Sequence, residues 1–175
     1  MKDERLTTKP ATTQVSLPSS TLVIGLGNPI LGDDGVGWKV VERLKSSLTT
    51  PHLPLETDCV SLGGLSLMER MLGYERVILV DSMETGQSPL GSVRVIPLEA
   101  LTDPSAGHSA SAHDTSLITA LKTAETMGLP IPKSVEIVAI EAKNVYDFSE
   151  ELSPPVMAAV PQAVEKVMEL LEEVI

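Results

Sequence analysis

The sequence predicts an α/β fold: a single-domain three-layer sandwich in which a mostly parallel, five-stranded mixed sheet carries helices on both faces. Three observations predict it. Five short runs are continuously apolar or β-branched and bounded by glycine or proline, the pattern of strands buried on both sides. Segments of helical length fit between most of them, as βαβ units require. Aromatic residues make up only 2% of a chain that is 42% hydrophobic, so its core must come from Val, Leu, Ile, Ala and the seven Met residues. Such side chains suit a sheet covered by helices.

The strand runs are Thr21 to Leu26, Leu55 to Leu62, Arg76 to Asp81, Ser92 to Pro97 and Ser134 to Ala142. A first helix is expected over Gly35 to Ser47, with Val36, Val40, Val41 and Leu44 on one side. A shorter helix is expected near Leu65 to Leu72. A third runs from about Thr115 to Met127 and is stopped by Gly128 and Pro130. The fourth, Pro155 to Leu171, is opened by Ser153 as N-cap with Pro154 in the first turn. Ser82 to Gly91 is too short for a crossover helix and reads as a hairpin-like link, which makes one strand antiparallel. Pro97 to Ala112 is polar, small and irregular, a segment suited to a lid or a docking surface.

A length of 175 residues suits one core, with 21% charged residues. Residues 1–20 are rich in Thr, Ser, Lys and Pro and lack an apolar run, so they read as a disordered leader ahead of one domain over residues 21–175. Neither a secretory signal nor a membrane span is expected, which points to a cytoplasmic protein, read here as a monomer. The net charge of −11, with scattered Lys and Arg, argues against a nucleic-acid partner and suits a basic one. Cys59 is the only cysteine, which excludes an intrachain disulfide and a thiolate zinc cluster. It reads as a small buried apolar residue, and Trp38 as a packing residue.

The most informative passage is Gly25-Leu26-Gly27-Asn28-Pro29-Ile30-Leu31-Gly32-Asp33-Asp34-Gly35-Val36-Gly37, which sets two adjacent carboxylates in a glycine-rich turn after the first strand. At the carboxyl end of a strand in an α/β sheet the backbone opens into a crevice, and glycine lets a ligand approach the main chain. The plain alternative is a βα turn in which Asp33 or Asp34 caps the next helix. A dinucleotide loop fails because Ile30 stands where the third glycine belongs. A P-loop fails because its Lys-Ser/Thr pair is missing and two aspartates repel phosphate. No Gly-x-Ser-x-Gly elbow occurs, and Cys59 has no setting for a nucleophile.

The passage from Leu22 to Gly37, together with Val77-Ile78-Leu79-Val80-Asp81 and Ser111-Ala112-His113, resembles the hydrogenase maturation endopeptidases. These remove a C-terminal extension from the large subunit of nickel-iron hydrogenases and are classed by family as aspartic-type peptidases. The resemblance spans about Thr21 to the C-terminus. It implies that the metal-contacting carboxylates are Asp34 and Asp81 and that the third ligand is His113, a few residues ahead of a helix. The same three residues are the implied catalytic set. It also implies that the nickel arrives with the precursor as its recognition mark, so the protein needs no tightly bound cofactor of its own. One departure stands out: the family's Asp-Gly-Gly-Thr reads Leu62-Gly63-Gly64-Leu65 here, without the acid.

Taken alone, each residue has a plainer reading: Asp81 as a turn cap, His113 beside Asp114 as a helix-start residue with a surface imidazole. His52 and His108 are further histidines without a matching motif. Two carboxylates and one imidazole suit a divalent transition metal and leave positions open. Hydrolysis by metal-polarised water and by a carboxylate general base are both open. Three other functions fit parts of the sequence: a hydrolase with its own divalent metal, a non-catalytic nickel-sensing chaperone, and peptidyl-tRNA hydrolase. The last shares Gly-Leu-Gly-Asn-Pro but lacks the histidine expected soon after it.

Overall fold

A computed structural model describes residues 21–48, 55–102 and 112–173. The elements run β1 (Thr21–Leu26), a 3-10 turn (Gly32–Gly35), α1 (Val36–Ser47), β2 (Leu55–Val60), α2 (Gly64–Met71), β3 (Arg76–Met83), β4 (Val93–Pro97), a second 3-10 turn (Leu98–Thr102), α3 (Ala112–Thr126), β5 (Ser134–Glu141) and α4 (Pro154–Glu172). They form the predicted three-layer α/β sandwich. The sheet has five strands in the order β2-β1-β3-β5-β4. All neighbours pair in parallel except β4 with β5.

The antiparallel strand was expected from a hairpin-like link between β3 and β4, and here the structure differs. β5 lies between them, so β4 pairs only with β5, with Val95 opposite Val138. The reason is burial. β5 is buried at six of its eight positions and must be covered on both edges and faces, whereas β4 leaves Val95 39% exposed and tolerates the sheet edge.

Strand alternation divides the core into two halves. Val23, Ile78, Val80, Val138 and Ile140 face α1 and α4. Leu22, Ile24, Val77, Leu79 and Ile137 face α2 and α3. Because every central strand feeds both halves, β1, β3 and β5 are apolar without alternation.

The glycines of the first loop serve the chain's own packing. A Cβ on Gly37 would overlap the carbonyls of Val80 and Leu26, so α1 can lie directly on β1 and β3 only with glycine there. Gly27 has φ of 114° and its α-carbon faces the Asp34 carbonyl, a position no L side chain fits. The close approach expected for a ligand is thus made by the backbone of the loop itself.

Boundaries shift at several ends. β2 stops at Val60, β3 continues through Met83, and β5 stops at Glu141. α3 begins at Ala112, three residues before the expected Thr115, which puts His113 inside its first turn and not ahead of it. Residues 1–20, with the proposed leader, lie outside the described residues, as do His52 and His108. No described helix is long and apolar enough to cross a membrane.

Candidate active site

The adjacent carboxylates Asp33 and Asp34 have different surroundings. Asp33 is fully buried. Its Oδ1 accepts the backbone N–H of Ser153 at 2.6 Å, and its Oδ2 accepts the Ser153 hydroxyl at 2.9 Å and the Asn144 N–H at 3.4 Å. It braces the start of α4 from across the fold. Ser153 does occupy the N-cap position of that helix, but its hydroxyl is spent on Asp33 and makes no cap bond. Asp33 is therefore structural.

Asp34 is only partly buried and turns the other way. Its Oδ2 accepts the Asn28 N–H at 2.6 Å, and its Oδ1 accepts the Ser82 hydroxyl at 3.3 Å. The first bond closes the glycine-rich loop on itself. The second ties that loop to β3, one residue from Asp81. Ser61 adds a third tie, donating its hydroxyl to the Gly27 carbonyl at 2.7 Å.

Asp81 is 3% exposed and its Oδ1 accepts the Ser82 N–H at 2.8 Å. On β3 it follows the parity of Leu79 and Met83, which belong to the half of the core covered by α2 and α3. The helix that carries His113 therefore covers the face on which Asp81 lies. α3 enters β5 at Ser134, the amino end of that strand, through Gly128 to Lys133. A helix of 15 residues spans roughly 22 Å and β5 about as much, so the first turn of α3 lies toward the carboxyl edge of the sheet. Asp34 follows β1 at that same edge. The His113 side chain is outside the described residues, and among the described ones no three His, Cys, Asp or Glu side chains cluster as a metal site.

Two features near the site have no distinctive sequence motif. Glu141, 2% exposed, ends β5 and accepts the Thr85 N–H at 2.9 Å, the Thr85 hydroxyl at 2.7 Å and the Gly86 N–H at 2.8 Å. Arg94 approaches it at 3.5 Å. It fixes the segment after β3, next to the site. Its sequence signal, an acid closing an apolar strand, is the one that singles out Asp81. The second feature is apolar exposure around the loop: Leu62 is 37% and Leu65 60% exposed. Where the family pattern has an acid, the rim here is hydrophobic.

Cys59 is half-buried against the core, and burial pushes its thiol up, which makes it a poor nucleophile. Trp38, expected as a packing residue, is half-buried, and its ring N–H reaches the Val60 carbonyl at 3.4 Å.

Comparison with known proteins decides the family. The family model for hydrogenase maturation protease, HycI, matches residues 38–170, a stretch that holds Asp81 and His113 and begins past Asp34. The chain belongs to the hydrogenase maturation proteases. The protease is similar to the hydrogenase 2 maturation peptidase of a Thaumarchaeota archaeon, 33% identical, covering 87% of this chain and 97% of that one with a TM-score of 0.59. It is also similar to the hydrogenase expression/formation protein HoxM of Cupriavidus necator, 27% identical over 86% of this chain and 73% of that protein. In fold it is similar to the hydrogenase maturating endopeptidase HybD of Escherichia coli, with a TM-score of 0.74 at 23% identity over 88% of this chain and 93% of that one. The motif resemblance and the α/β architecture agree with these findings.

Proposed function

We propose that the protease removes the C-terminal extension of a nickel-iron hydrogenase large-subunit precursor, and that Asp34, Asp81 and His113 complete the coordination of the nickel already seated in that precursor. The observation that carries this reading is the Asp34–Ser82 hydrogen bond at 3.3 Å, which fixes the loop after β1 against the carboxyl end of β3, the strand that carries Asp81 on its other face. The start of α3 at the same edge supports His113 as the third member. Two carboxylates and an imidazole give a mixed oxygen and nitrogen set suited to a divalent transition metal that keeps other ligands.

In this reading the nickel is part of the substrate, and binding it positions the scissile bond over the crevice. The three residues touch the metal or the reacting atoms. An aspartic-type reaction assigns one carboxylate as general base to the attacking water. The work is placed in the cytoplasm, where a monomeric protease meets its precursor. Incubation with nickel-loaded and nickel-free precursor, followed by mass spectrometry, tests the reading. Shortening of the loaded form alone is expected, and equal shortening of both forms removes nickel as the recognition mark.

A further inference from the structure

The chain contains one Trp, two Tyr and one Phe, and of these Tyr146 and Phe148 are 82% and 87% exposed. A protein so poor in aromatics leaves two of them in water on one short segment between β5 and α4. That segment is fastened to the loop that carries Asp34. The Asn144 carbonyl accepts the Asp33 N–H at 3.0 Å, the Ser149 carbonyl accepts the Gly32 N–H at 2.7 Å, and the Ser149 N–H donates to the Ile30 carbonyl at 3.1 Å. The Ser149 hydroxyl also accepts the Glu151 N–H at 3.0 Å. Both rings are therefore held outward on a fixed backbone beside the candidate site. Ile30, 46% exposed, is tied by the backbone bond at its carbonyl to Ser149, the residue after Phe148.

The surrounding charge is one-sided. Asp147, Glu150 and Glu151 are exposed around the rings, and Lys143 is the one base among residues 143–151. Rigid aromatics within a charged rim are the usual make-up of a protein-binding surface, and an acidic rim selects a basic partner. A second copy of this chain, at −11, is disfavoured, because a two-fold contact through the patch sets these acids against themselves.

We propose that Tyr146 and Phe148, with Ile30, form a docking lip for the hydrogenase large-subunit precursor, which meets it with apolar side chains ringed by Lys and Arg. The inference rests on the substrate reading given above. Docking there anchors the precursor by its folded surface while its cleavage point enters the crevice beside the lip.

The test is biolayer interferometry of the full-length protease on immobilised nickel-loaded precursor, run beside the cleavage assay. The Tyr146→Ser/Phe148→Ser double variant is expected to bind roughly tenfold or more weakly. A Glu150→Lys/Glu151→Lys variant is expected to bind about threefold more weakly at low salt, with the difference shrinking as salt screens it. Melting midpoints of both variants should match that of the natural chain, because neither removes a core contact. Unchanged affinity of the double variant for a precursor that the natural chain binds and cleaves overturns the docking lip and leaves the protease reading standing. Precursor binding that depends on the rings without any cleavage supports the lip and overturns the protease reading. No binding and no cleavage by the natural chain overturns both. A natural dimer that the double variant converts to monomer reassigns the patch to self-association and overturns the lip.

Discussion

The carboxylate of Asp33 takes both the backbone N–H and the hydroxyl of Ser153, at 2.6 and 2.9 Å, joining positions 120 residues apart. This contact locks the first loop to the start of α4, while Asp34 turns the other way, to Asn28 and Ser82. Replacing Asp33 by Asn presents an amide to donors that need an acceptor. The expected cost is about 3 kcal/mol, as for breaking a buried charged hydrogen-bond set. In a protein of this size that lowers the melting midpoint by roughly 6–12 °C. Calorimetry on Asp33→Asn checks it, and an unchanged midpoint would show that the brace contributes nothing.

Asp34 should behave in the opposite way. Its side chain is partly exposed and an amide still accepts from Asn28, so Asp34→Asn keeps the fold within about 1 kcal/mol while losing cleavage. Asp34→Glu retains the charge with one extra methylene and is expected to be milder. Asp81→Asn should match Asp34→Asn in activity if both carboxylates serve one metal. Circular dichroism and precursor cleavage on the three variants separate folding from catalysis.

Acid stability carries a smaller signature at the outer face of β2 and α2. Glu56 accepts from the Tyr74 hydroxyl and from Arg70, and these hold its carboxyl below the usual range. A folded pKa below the unfolded one means that the stabilisation is present above about pH 4.3 and is lost as pH falls through the lowered value. The group is half exposed, so solvent screening keeps the effect to about 1 kcal/mol or less. Thermal melts of Glu56→Gln and the natural chain should differ slightly at pH 7 and converge as pH falls into the acid range and the carboxylate is protonated. A constant difference across that range contradicts the assignment.

Metal content provides a fourth check. A shell of two carboxylates and one imidazole is incomplete without ligands from the precursor, so the purified protease should hold well under one equivalent of metal after dialysis against chelator, measured by elemental analysis. Stoichiometric zinc that survives dialysis contradicts a nickel supplied by the substrate.

Much of this was legible in the sequence, for identifiable reasons. Apolar runs without alternation marked β1, β3 and β5, because buried parallel strands are covered on both faces. The position of β4 was not legible, since its distance from β3 in sequence suggested a hairpin and only the insertion of β5 rules it out. The pair Asp33-Asp34 points to a site, yet nothing local distinguishes the brace from the residue that closes the glycine-rich loop. That distinction depends on Ser153 and Ser82, remote in sequence. Glu141 shares the signal of Asp81, an acid closing an apolar strand, but no motif frames it. No sequence pattern singles out Tyr146 and Phe148, and only the fold shows them exposed.

The central claim is that Asp34, Asp81 and His113 act together on the precursor's nickel, and His113→Ala tests it most directly because it removes the only nitrogen ligand of the set. The measurement is the intact mass of nickel-loaded precursor after incubation with the variant, beside the natural protease at equal concentration. The account predicts a shortened precursor with the natural chain and an unchanged mass with His113→Ala. Full shortening by His113→Ala would contradict it.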